Sequence, residues 1–161
     1  MKYDARLEIY EHITEVRRSL LRFVADLLAR AHEHDASKFQ SPEVEEYLEY
    51  EPVIEVLPYG SEEQQAARAR NIVESRSTQH HYEVCRHHPQ HFENGILGMN
   101  LMDLAEMLCD WKAASEFTGY GPYKNTIEPF GLEASIEANA ERFGYGDELK
   151  RILLNTAKVM E

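Results

Sequence analysis

The stretch ILGMNLMDLAEMLCDW, residues 96 to 111, sets apolar side chains at Ile96, Leu97, Met99, Leu101, Met102, Leu104, Met107, Leu108 and Trp111. They cover most sides of a helix predicted over 96–117, the pattern of a helix buried all round, and this makes it the central element of an all-α fold. Its methionine and leucine face is read as core. Asp103, Glu106 and Asp110 fall at i, i+3 and i+7 on the same helix, so they share one face. Carboxylates on an apolar helix are costly unless paired, which calls for opposite charges or a metal ion. For Asp103 and Glu106, pairing with Arg86, Lys112 or a ligating histidine is as good a reading as direct ligation.

Outward from this helix the chain is helical throughout. Residues 4–31 repeat apolar side chains at Leu7, Ile9, Ile13, Val16, Leu20, Phe23, Val24, Leu27 and Leu28, the three-and-four spacing of an amphipathic helix, with His12 beside the stripe. Ser41-Pro42-Glu43 has the order of an N-cap, a first-turn proline and an acid on the positive helix end, predicting a helix over 42–57. Ser61-Glu62-Glu63-Gln64 has the capping-box form, and the polar helix it opens is expected to run to about 87, ahead of Pro89. TGYGPYKN (118–125) reads as loop, and two shorter helices are predicted over 131–143 and 147–159. No alternating strand pattern, repeat or low-complexity linker occurs. The expected architecture is one domain over residues 1–161, a compact orthogonal bundle of about five to seven helices.

Composition narrows the function classes. The apolar fraction of 43% is ordinary, no run approaches the roughly 20 residues that span a bilayer, and the charged N-terminus lacks a secretory signal. A cytoplasmic protein is expected. Cys85 and Cys109 are too few for a disulfide framework or a zinc finger and are read as reduced thiols. The net charge of −12 argues against duplex nucleic acid or an anionic membrane as partner, and a phosphorylated substrate would need local positive charge, such as a metal ion.

Histidine is the unusual residue. His80, His81, His87, His88 and His91 fall in the window 80–91, straddling the predicted helix end. His81 and His88 are seven apart and share a face if the helix persists, as do His80 and His87. His80, His87 and His91 are read as solvated helix-end residues as readily as ligands. A mixed imidazole and carboxylate set suits manganese, iron, cobalt or zinc.

The order His12, His34-Asp35, His81, His88, Asp110 resembles the histidine-aspartate (HD) domain superfamily, and HDASK (34–38) is similar to the His-Asp-x-Gly-Lys form common there, with Ser37 in place of the glycine. HDASKF with Glu43 and Tyr47, HHYEVCRHHPQHF and MDLAEMLCDW look more specifically like an uncharacterised HD-like family of small bacterial and phage proteins, over about residues 9 to 115. The resemblance implies a helical fold in which His12, His34, Asp35 and Asp110 hold one divalent ion, and a second ion if His81 and His88 ligate it. In two-metal members the extra histidines come from successive helices, whereas His81 and His88 lie on one helix or at its end.

The wider superfamily implies a metal-dependent phosphohydrolase acting on a nucleotide or other small phosphoester. In that reading the ion acidifies the attacking water and Asp35 bridges or orients it. Lys38 and Arg86 are the cations best placed for phosphate oxygens, one as a point charge and one as a fork. A di-iron oxygenase on the same scaffold and a non-enzymatic helical binding protein, whose acidic surface would suit a basic partner, are the alternatives.

Overall fold

A computed structural model describes residues 5–55, 63, 66, 67, 70, 75–117, 129 and 131–160, without the side chains of 51–55. The protein is all-α, and the described residues contain no strand. Among the described residues its helices include α1 (Arg6–Glu33), α2 (Glu43–Glu55), α3 (Arg76–Val84), α4 (Leu101–Ser115), α5 (Leu132–Phe143) and α6 (Asp147–Ala157), with 3-10 turns at Ala36–Phe39, Pro89–His91 and Gly95–Gly98. None of the described helices is long and apolar enough to cross a membrane. The chain divides into two units, residues 1–34 and 35–161.

The first unit is α1, a single 28-residue helix carrying the predicted apolar row. It ends where His34 leaves helical geometry (φ −51°, ψ 125°). Asp35 follows in the left-handed region (φ 56°, ψ 14°), which a short polar side chain tolerates better than a branched one.

In the second unit α2 packs on α3, and both touch the turn Ala36–Phe39; α4 packs on α5 and α5 on α6. The apolar core belongs to the second group: Ile96, Met107, Leu108, Trp111, Leu132, Ile136, Tyr145, Leu153 and Ala157 are buried together. Each fully buried large aliphatic there contributes about 1.5–3 kcal/mol. The Trp111 ring lies nearly parallel to Phe143 at 6.1 Å and to Tyr145 at 6.5 Å. Gly144 (φ 65°) takes the left-handed turn that ends α5, its N–H donating to the Ala140 carbonyl at 3.0 Å.

Three boundaries differ from the sequence expectation. The central helix begins at Leu101 rather than 96, because the Asn100 side chain accepts from the N–H groups of Met102 and Asp103 while Asp103 accepts from the Asn100 N–H. This reciprocal cap fixes the start, and Ile96 is buried from a preceding turn instead. Gly98 in that turn lies so close to Phe92 that an added Cβ would meet its Cβ at 2.7 Å. Leu97 and Leu101, expected in the core, are exposed. The helix predicted from 61 to 87 is not continuous. Ser75 is extended (ψ 130°) and caps a fresh start by accepting from the Thr78 N–H, and α3 stops at Val84. The cap at Ser61–Gln64 and the loop 118–125 lie outside the described residues apart from Glu63, which is helical.

Tyr145 gives the fold a pH signature. Its hydroxyl donates to the Ile136 carbonyl at 2.6 Å, and burial, followed by the charge of Glu137, pushes its pKa up to about 12. The neutral phenol is the form the fold favours. Its contribution is therefore complete below the unfolded value of about 10 and is lost as pH rises from there to about 12. Absorbance at 295 nm should show one late-ionising tyrosine that Tyr145→Phe removes, together with part of the alkaline loss of stability.

A four-residue candidate metal centre

Asp35, His81, His87 and His88 meet at one point of the second unit, each offering one donor atom, with all four atoms within 4.8 Å of one another. Asp35 is presented by the left-handed turn that opens Ala36–Phe39. His81 lies on the last turn of α3. His87 and His88 arrive by a reversal of the chain rather than by a persistent helix. Cys85 leaves helical geometry (ψ 107°) with its N–H still on the His81 carbonyl at 2.8 Å, and His88 is extended (ψ 128°) ahead of Pro89. The reversal brings His81 Nε2 within 3.0 Å of His88 Nε2. His87 and His88 stand with ring centroids 4.1 Å apart.

The donor set suits a metal ion. Asp35 Oδ1 is 3.3 Å from His81 Nε2 and 3.4 Å from His87 Nε2. Four tetrahedral ligands about 2.0–2.1 Å from a common ion would stand about 3.3–3.4 Å apart, so these edges are close to the size an ion requires. Three imidazoles with one carboxylate favour borderline transition ions over magnesium or calcium, which take oxygen ligands. The group could hold a metal ion.

Carboxylates stand behind two of the imidazoles. His81 Nδ1 is 3.0 Å from Glu43 Oε2, and Glu43 Oε1 is 2.7 Å from His80 Nδ1. His87 Nδ1 is 3.2 Å from Glu106 Oε1. Ser37 Oγ and Cys85 Sγ also approach His81 Nδ1, at 3.2 and 3.5 Å. Burial opposes charge on His81, but hydrogen bonds with Asp35 and Cys85 outweigh it and raise its pKa to about 10. His88 goes the other way: burial, then the neighbouring His87 and His81, push it down to about 3. An electron-pair donor thus stands beside an imidazole held in its cationic form, and an ion entering the group would replace that proton.

Asp35 Oδ2 accepts from the Lys38 ammonium, which also stands 5.9 Å from the centroid of the Tyr47 ring. Burial opposes charge on Lys38, yet Asp35, Tyr47 and Asp110 together raise its pKa. Asp110 therefore lies near enough for its charge to act on Lys38, and it is outside the group of four. Arg86 is turned elsewhere. Its Nε and Nη2 donate to the two oxygens of the buried Asp103, each at 3.1 Å, over the face of Phe92.

Of the residues the sequence nominated, the structure brings Asp35, His81 and His88 together, puts Lys38 against Asp35 and Asp110 near Lys38, and engages Arg86 with Asp103. His12 and His34 belong to the first unit, on α1 and at its end. Asp103 pairs with Arg86, one of the partners expected for it, and Glu106 with a histidine of the centre, His87. Two residues gain a place that the sequence left open. His87, which reads equally as ligand or solvated residue, is 2% exposed. Glu43, which the sequence places at a helix start and in the segment resembling the HD-like family but gives no role at the site, is completely buried. A sequence signal existed for His87 alone, since Pro89 forces His88 out of helical geometry and the helical count used to separate the two histidines fails there.

No curated protein and no solved structure gives a significant match to this chain. The family model that does match covers residues 1–161, all of the chain, and the protein therefore belongs to the family of unknown function DUF5662.

Proposed function

We propose that Asp35, His81, His87 and His88 hold one divalent transition ion and that the protein is a hydrolase of a small phosphoester, a nucleotide being the expected substrate. The observation that carries the reading is the meeting of three imidazole nitrogens and one carboxylate oxygen at metal-like spacing, with a lysine on the second oxygen of that carboxylate. A divalent ion supplies Lewis acidity toward a phosphoryl oxygen and lowers the pKa of a water toward neutrality. The chain's own residues supply the rest. Asp35 offers Oδ1 to the centre while Oδ2 is tied to Lys38, so the carboxylate is held in one orientation. Lys38 brings an ammonium to the edge of the centre as a point charge for a phosphate oxygen. Arg86, occupied by Asp103, has no part in this reading. The resemblance to HD domains, which Asp35, His81 and His88 help to carry, implies the same reaction class.

Metal content of protein purified without an affinity tag is the first test, followed by a screen of nucleoside mono-, di- and triphosphates and cyclic nucleotides with manganese or cobalt. Asp35→Asn tolerates the left-handed backbone but removes the charge, and it is expected to lose both metal and turnover. Lys38→Ala should retain the metal and lose about 10-fold or more in kcat/KM, the scale of about 1.4 kcal/mol of lost phosphate contact. A metal-loaded wild type that releases phosphate from none of these substrates would overturn the hydrolase. Two irons per chain would redirect it to an oxygenase, and no metal at all to a binding protein.

A further inference from the structure

Among the described residues, Glu43 is the one fully buried acidic group in contact with an imidazole of the centre that belongs to neither the donor set nor the central helix. Both of its oxygens are engaged: Oε2 with His81 Nδ1 at 3.0 Å and Oε1 with His80 Nδ1 at 2.7 Å. It is also the first residue of α2, where the free N–H groups and the helix dipole favour a negative charge. Each carboxylate oxygen therefore has an imidazole partner, and His80, with its side chain one-third exposed, closes the arrangement on the outer side.

An imidazole has one proton to place when neutral. With Nδ1–H donated to a carboxylate, the lone pair resides on Nε2, and Nε2 of His81 is the atom facing Asp35 and His88. We infer that Glu43 is the positioning residue of the centre: it fixes the tautomer and ring plane of His81, and His80 anchors Glu43 in turn. The inference rests on the metal reading above and extends it to a residue that touches neither metal nor substrate. Glu43 is not interchangeable with Glu106, because Glu106 stands behind His87 and leaves His81 unsupported.

The test uses cobalt(II) as probe on the full chain, with affinity read by chelator competition and ligand geometry by visible absorption. Glu43→Ala is expected to weaken cobalt binding about 10- to 100-fold and to alter the absorption bands, the usual consequence of removing an outer carboxylate from a ligating histidine. Glu43→Gln, which keeps an acceptor for Nδ1–H, should recover part of the affinity, a graded rescue that a purely structural role would not give. Should Glu43→Ala fail to fold, two measurements remain. His80→Ala should show a smaller loss, and nitrogen-15 spectra of the cobalt- or zinc-loaded wild type should place the His81 proton on Nδ1. Wild-type affinity and bands in a folded Glu43→Ala would overturn the inference while leaving the metal reading intact, and a proton on Nε2 of His81 in the loaded protein would overturn it and remove His81 from the ligand set. A wild type that takes up no cobalt would remove both.

Discussion

His87→Ala is expected to lose at least about 100-fold in affinity for a divalent ion, more than the 10- to 100-fold typical of removing only an outer partner such as Glu106. His87 is 2% exposed, with Nε2 3.4 Å from Asp35 Oδ1 and Nδ1 3.2 Å from Glu106 Oε1, so its two nitrogens face two acids across a buried ring. Alanine removes a ligand and leaves those two carboxylates facing a cavity. Stability should fall as well, by about 2–4 kcal/mol, because buried charge loses its partner and packing is lost. Chelator competition and urea unfolding separate the two effects, and circular dichroism establishes that the variant is folded. A folded His87→Ala with unchanged metal affinity would make His87 a packing residue and reduce the centre to three groups.

Asp103→Ala should destabilise the fold while leaving the four donor residues in place. The carboxylate is completely buried, accepts from the Asn100 N–H at 2.9 Å and holds both arms of the Arg86 fork. It thereby joins the start of α4 to the segment that delivers His87 and His88. Losing the reciprocal cap costs about 1 kcal/mol, and losing a charged bidentate contact adds about 1–3 kcal/mol, so a total of about 2–4 kcal/mol is expected. The Arg86 side chain is 45% exposed and can rehydrate, which keeps the cost below that of a fully buried pair. Asp103→Asn should recover about half, since an amide oxygen still accepts but carries no charge. Urea unfolding midpoints at constant m-value measure the series, and an Asp103→Ala midpoint equal to that of the wild type would show that the pair and cap are energetically idle.

The helical class and most helix positions follow from sequence by local rules. A three-and-four apolar spacing, a proline at 89 and glycines at 131 and 144 act within a few residues of themselves. The ends of α1, α5 and α6 accordingly fall within three residues of expectation. The start of α4 was also local in origin, since Asn100 and Asp103 stand at capping-box spacing, but the apolar run from Ile96 masked it. The row Asp103, Glu106 and Asp110 was legible as a demand for partners. Which of the candidate partners Asp103 and Glu106 take was not, because Arg86 and His87 are placed by turns whose direction depends on packing.

The centre divides along the same line. The sequence by itself determined the residue types and a reason to expect them together: a His-Asp pair at a helix end, a histidine-rich segment and carboxylates on an apolar helix. Only the tertiary structure decided the membership. A helical count sets His81 and His88 two turns apart on one face, yet α3 stops at Val84 and the chain folds back, so His87 enters beside His88 and all three imidazoles face Asp35. Burial of Glu43 behind His81 is likewise a consequence of α2 packing on α3. Periodicity reports which side of an element is apolar. A meeting of four donors depends on where elements stop and how they pack, and those depend on contacts between residues far apart in the chain.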